Sequence, residues 1–226
     1  MGTQEEGVRP AFYALRQGGW RDYVTLLHPP YTAWHLSYVA IGAALAPHFH
    51  LNRLLWALLA FFLAMGVAAH ALDELKGRPL QTKIPSRVLV GLAAVSLAGA
   101  VAVGIGAARA WGYWLLVFVA FGAVAVPAYN LELALHNELG FALLWGVFPV
   151  LTGYFVEAQT LRFEAFAAAA FAFATSAAQR ALSTPVRQAR REYATVAGIE
   201  VLERSLRLLA IAMVALGIAL VAARLR

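Results

Sequence analysis

The chain has 226 residues and a formal net charge of +6, from 18 Lys and Arg against 12 Asp and Glu. Only 13% of it is charged and 62% is hydrophobic, whereas a soluble domain carries about 25% charged residues; this composition excludes a soluble globular protein. There is no cysteine, which excludes disulfides, thiolate metal ligands and a cysteine nucleophile, and the basic excess reads as membrane topology, with no nucleic-acid partner.

Residues 1–30 read as a cytoplasmic arm, and residues 31–226 as one transmembrane helical domain. No apolar run follows the arm's first charges, so it is not read as a secretory signal. Trp20 and Tyr23 suit the lipid headgroup layer and predict an interfacial helix over 11–27. A first span is expected at 31–47, introduced by His28-Pro29-Pro30 and ended by the polar turn 48–53. The second covers 54–72, 19 residues without a formal charge, close to the ~20 needed to cross the hydrocarbon core. Gly and Ala crowd the third, 88–108, and favour close helix packing. A fourth span covers 111–128, with Pro127 marking its end. The fifth, 139–156, carries Pro149 inside it, which a membrane helix tolerates when neighbours satisfy the freed carbonyl. An Ala/Phe-rich sixth span covers 163–181 and a seventh 208–223. The polar segment between them, 183–207, ends as helix, with Glu200→Arg204 and Glu203→Arg207 as i,i+4 pairs.

These elements predict an all-α membrane protein, a bundle of about seven transmembrane helices. A cytoplasmic N-terminus leaves thirteen of the 18 basic residues inside, the arrangement that the positive-inside rule favours. The protein is therefore expected in the cell (inner) membrane. Loops 73–87, 129–138 and 182–207 would all be cytoplasmic and could converge over one cavity.

The densest chemistry lies in 65–87. His70, Asp73 and Glu74 stand at the mouth of an apolar helix, and Arg78 and Lys83 follow. A carboxylate taken out of water is costly unless it is paired or metal-bound, so such groups point to a site. The plain alternative is a polar loop that ends a membrane helix. The loop after the fourth span offers Asn130, Glu132, His136 and Glu138. The loop after the sixth offers Gln179, Arg180, Arg187, Arg190 and Arg191, for which the plain alternative is topology with anionic-lipid contact. Carboxylates hold a hard cation such as Mg²⁺ through oxygens, and guanidinium groups match phosphate oxygens in pairs. A cation-rich loop facing carboxylate loops over an apolar cavity suits a lipid diphosphate. Candidate catalytic residues are His70, Asp73, Glu74, Glu132, His136 and Glu138, with Asp73 and Glu74 for Mg²⁺. Candidate substrate contacts are Arg78, Lys83, Asn130, Gln179, Arg180, Arg187, Arg190 and Arg191.

Three stretches, in order, resemble the UbiA superfamily of intramembrane prenyltransferases. His28-Pro29-Pro30-Tyr31-Thr32-Ala33-Trp34 resembles the Arg-Pro-x-x-Thr start of the family's first helix. Residues 67–85 resemble the end of its second helix, where an aspartate-rich motif precedes an Arg-Pro-Leu turn; Arg78-Pro79-Leu80 stands at that turn. Glu138-Leu139-Gly140, followed by Phe148-Pro149 and Gly153-Tyr154, resembles the family's helix-five signature. The resemblance covers about the first 155 residues and implies an isoprenoid substrate and a Mg²⁺-bound prenyl diphosphate. The chain departs from the pattern in two places. Asp73 is the only aspartate at the first motif, and the second motif, Asp-x-x-x-Asp, is absent from 179–191, which reads QRALSTPVRQARR. The chain is also about two helices short of the family's usual count. Three functions stay open: prenyl transfer from a prenyl diphosphate, acid–base chemistry of histidines and carboxylates on an isoprenoid without diphosphate, and a non-catalytic lipid- or quinone-binding membrane subunit.

Overall fold

The computed structural model describes residues 9–191 and 198–226, with Arg191 described in its backbone alone. Among the described residues the chain forms eight continuous helices and no strand. They are α1 (Trp20–Leu26), α2 (Pro29–Leu45), α3 (Leu51–Gly77), α4 (Ser86–Trp111), α5 (Leu115–Asn130), α6 (Glu138–Ala158), α7 (Phe163–Arg191) and α8 (Ile199–Arg224). Among these, α3, α4, α6 and α8 are long and apolar enough to cross a bilayer, and α5 is a shorter apolar helix. A helix lies on each of the seven expected stretches, and the differences fall at the ends. The helix expected over 11–27 is confined to Trp20–Leu26. Gly18 and Gly19 take φ of 108° and 64°, values that a side chain resists, and turn residues 9–17 back onto the bundle. There Ala11 and Ala14 bury against Leu80.

The centre of the bundle is α2. Trp34, Tyr38 and Val39 on it are fully buried, and Trp34, Tyr38 and Ile41 pack with Val150 of α6, Ala172 of α7 and Met213 of α8. Contact with α6 is backbone to backbone: a Cβ on Gly42 would strike the Val150 carbonyl oxygen, and one on Gly153 that of Val39. Small residues of this kind let membrane helices approach closely. Gly153→Ala should therefore push α2 and α6 apart and cost about 3 kcal/mol, the upper end of an overpacking penalty. The check is the melting temperature in detergent; an unchanged midpoint contradicts the close crossing.

Polar contacts gather at the two ends. At one end Lys76 meets Glu132 at 3.7 Å, the Lys83 N–H donates to Asp22 Oδ2 at 2.9 Å, and Arg190 pairs with Glu203 and donates to the Arg9 carbonyl. The arm, the turn after α3, the turn after α5 and the α7/α8 ends thus meet on one side. At the other end His50 pairs with Glu157 at 3.0 Å, and Arg224 donates to the Ala46 and Pro47 carbonyls.

Candidate functional site

Two stretches of π-helix, Phe62–Ala69 in α3 and Ala142–Val147 in α6, lie beside the main cavities. π-Helix is rare and often marks functional positions. Met65 and Ala69 from the first, and Trp145 from the second, form part of the wall of a polar chamber of about 120 Å³. On its far side is an apolar cavity of about 110 Å³ between α3, α4, α5 and α6, lined by Ala64, Leu97, Gly104, Val119, Phe148 and their neighbours. Met65 and Trp145 belong to both walls, so the two spaces lie back to back. A small vestibule of about 40 Å³ under the arm shares Tyr13, His28, Tyr31, Asp73, Ser183 and Arg187 with the chamber.

Four histidines line the chamber: His28, His35, His70 and His136. His70 Nδ1 lies 3.1 Å from the Gly66 carbonyl, His35 Nδ1 is 2.8 Å from that of Trp145, and His136 Nδ1 is 2.9 Å from that of Tyr129. A carbonyl oxygen only accepts, so Nδ1 is the donor in all three contacts, and a ring that is neutral keeps its lone pair on Nε2. His28 stacks on His70 with ring centres 4.0 Å apart and planes at 11°, and the Tyr13 hydroxyl is hydrogen-bonded to His28 Nδ1 at 2.8 Å. Burial, followed by the neighbouring His70, holds the His28 ring well below the usual imidazole range. Burial, followed by Tyr31, pushes the Tyr13 hydroxyl well above its own. The pair is therefore a neutral phenol hydrogen-bonded to a neutral imidazole.

Of the residues singled out in the sequence, His70, Asp73, Asn130, His136, Gln179, Arg180 and Arg187 line this chamber. Arg180 donates from Nη1 to the Tyr129 hydroxyl at 3.0 Å, and its guanidinium lies 5.4 Å from the Phe141 ring centre. Its Nε is buried without a hydrogen-bond partner, as is the side-chain oxygen of Gln179. Asn130 is buried and donates to the Val126 carbonyl at 2.7 Å.

The others are placed elsewhere. Glu74 is fully buried, and its carboxylate accepts from the Leu80 and Thr82 N–H groups and the Thr82 hydroxyl, at 2.8 to 3.0 Å. It folds the turn after α3 instead of facing the chamber, because consecutive positions on a helix point in different directions. Arg78, in the left-handed region at φ 51°, braces the same turn by donating to the Thr82 and Ile84 carbonyls and the Ser86 hydroxyl. Lys83 is exposed, and its backbone N–H is held by Asp22. Glu132 is half exposed against Lys76 and His136. Glu138 is exposed in the first turn of α6 and lies off the chamber wall. Arg190 is taken up by Glu203 and the Arg9 carbonyl, and the Arg191 side chain lies outside the described residues.

Tyr13, His28, Tyr31, His35 and Trp145 enter the wall without having been read as site residues. One signal was present in the sequence: His28 and His35 stand seven apart, two helical turns, which sets them on one face. The arm that brings Tyr13 is fastened by Asp22, which accepts from the Gly18 and Lys83 N–H groups at 2.9 Å each and is 4% exposed. Asp22→Ala leaves both donors unpaired, at about 1–3 kcal/mol each, and should free the arm. Trypsin should then cut after Arg16 faster than in the parent protein; equal rates would show that the arm is held by other contacts.

No protein-family model matches the chain, and no curated protein matches it as a relative. Among solved structures, a UbiA homolog from Archaeoglobus fulgidus bound to Cd²⁺ is similar, with a TM-score of 0.55 and 16% sequence identity over 89% of this chain and 99% of that one. The chain is thus an all-helical membrane protein with a UbiA-like fold. The donor set does not fit a pair of bound Mg²⁺ ions: among the described residues Asp73 is the only carboxylate on the chamber wall, and no three His, Asp or Glu are grouped to hold a metal ion.

Proposed function

We propose that this protein is a prenyltransferase-like enzyme of the cell membrane, holding a prenyl diphosphate with its head in the polar chamber and its chain in the apolar cavity. One observation carries the reading: a chamber rich in hydrogen-bond donors lies back to back with a predominantly apolar cavity, sharing Met65 and Trp145. An amphiphile with a compact polar head needs this division, because polar groups are costly in the one space and apolar surface is costly in contact with water. The fold likeness agrees with the class. In the reaction, the C1–O bond of the prenyl diphosphate breaks and the diphosphate leaves with the electron pair. The allylic C1 then takes an electron pair from a nucleophilic atom of the acceptor, and the acceptor's proton passes to a base. His70 Nε2 is suited to take it, since Nδ1 is already committed to the Gly66 carbonyl. Apolar walls would keep water from the cation. By the positive-inside rule the chamber end, which carries the arm and the α7 arginines, faces the cytoplasm.

The four chamber histidines also favour a second reading, acid–base chemistry on an isoprenoid without a diphosphate. Mass spectrometry of lipid extracted from the purified protein tests both. A prenyl diphosphate is expected; a neutral isoprenoid would move the weight to the second reading, and only bulk phospholipid would overturn both.

A further inference from the structure

The geometry points to direct recognition of the diphosphate by guanidinium groups, with no divalent cation needed as a bridge. This rests on the prenyl diphosphate reading. Charge is the first argument. Among the described residues the chamber and vestibule walls hold two arginines, Arg180 and Arg187, against one acid, Asp73. A site that reached phosphate through metal ions would have the opposite sign, carboxylates in excess, to hold the cations. Glu74 is held by the turn after α3, Glu132 by Lys76 and Glu203 by Arg190, and Glu138 lies off the wall.

Preorganisation is the second argument. The Arg180 guanidinium is fixed before any ligand arrives, by the Tyr129 hydroxyl at 3.0 Å on one nitrogen and the Phe141 ring at 5.4 Å. Its Nε–H is buried with no partner. A buried donor left unmade is costly, and a phosphate oxygen would satisfy it with a charge-assisted bond. Arg187 lies about two helical turns further along α7 and lines both the chamber and the vestibule. It is more exposed than Arg180, so it stands where an incoming anion would first be met. Neither arginine is in a salt bridge among the described residues. Two planar forks, one half-buried and one at the mouth, can bind diphosphate oxygens directly, while Asp73 alone could not gather a pair of metal ions to do so.

The test is titration of farnesyl diphosphate against the purified full-length protein in detergent, once with Mg²⁺ and once with EDTA, with farnesol as the neutral control. Affinity for the diphosphate is expected to differ by less than tenfold between the two conditions. Arg187→Gln and Arg180→Gln should each weaken it about tenfold or more in both, the loss of a charge-assisted bond. Farnesol binding should survive in both variants and so certify that they are folded. Loss of tenfold or more in EDTA overturns the inference and leaves the prenyl diphosphate reading standing. Metal-independent binding that neither arginine variant weakens overturns the assignment to these residues. Farnesol binding with no diphosphate binding under either condition overturns the inference and the reading together.

Discussion

Glu74→Ala is expected to destabilise the protein by about 3 kcal/mol or more, since hydrogen bonds to a charged acceptor contribute about 1.5–3 kcal/mol each. Three donors converge on this one carboxylate, two of them backbone N–H groups of the turn after α3, and the residue is 0% exposed. Without it those donors stay buried and unpaired, and Leu80 loses its place against Ala11 and Ala14. The arm and the roof of the vestibule should loosen together. Glu74→Gln keeps the shape and one acceptor oxygen and should fall between. Thermal unfolding in detergent reads the effect. If Glu74→Ala melts with the parent yet no longer binds ligand, the carboxylate faces the chamber and its structural role is wrong.

Filling the apolar cavity should have the largest effect on ligand binding. Ala64 lies on its wall, on the π-helical stretch of α3, and Ala64→Phe puts a ring into space that a prenyl chain would use. Each buried methylene is worth about 0.8 kcal/mol, so displacing even two or three of them weakens farnesyl diphosphate roughly tenfold or more. Inorganic pyrophosphate, which has a head and no chain, should bind the variant as it binds the parent. Overpacking costs about 1–3 kcal/mol in a filled core, and the cavity should absorb part of that. Equal loss for both ligands would mean that the substitution disturbs the chamber and not a tail site.

Much of this architecture could be read in the sequence because lipid leaves few options. The charge-free run 54–72 had to be a spanning helix, and α3 covers it. The ends were harder to place. α3 runs on through its charged last turns to Gly77, because Glu74 and Arg78 satisfy the turn beyond it from within. α7 continues ten residues past the expected end at 181, across Pro185. Its buried positions 176, 179, 183, 186 and 189 keep a three-to-four spacing, but three of the five are Ser or Gln, which lower the hydropathy of the stretch. Ser183 and Thr184 hydroxyls, moreover, donate to the Arg180 carbonyl inside that stretch.

The chamber was only half legible. Asp73, His70, Arg180 and Arg187 were readable as polar groups where apolar helices end. Which of two neighbouring acids faces inward is a matter of helix phase, and which arginine finds an acid depends on where Glu203 arrives from α8. Local sequence carries neither. Tyr13 was out of reach for another reason: it enters the wall only because the chain turns back at Gly18 and Gly19.

In the proposed function a prenyl chain occupies the apolar cavity while its diphosphate sits in the chamber. Photocrosslinking measures this most directly, using a farnesyl diphosphate analogue with a diazirine at the end of its chain and reading the labelled peptides by mass spectrometry. Labels are expected on the residues around Ala64, Leu97, Val119 and Phe148, and excess farnesyl diphosphate should suppress them. Labels spread over outward-facing Val95, Val124 and Ile211, undiminished by competitor, would contradict the account.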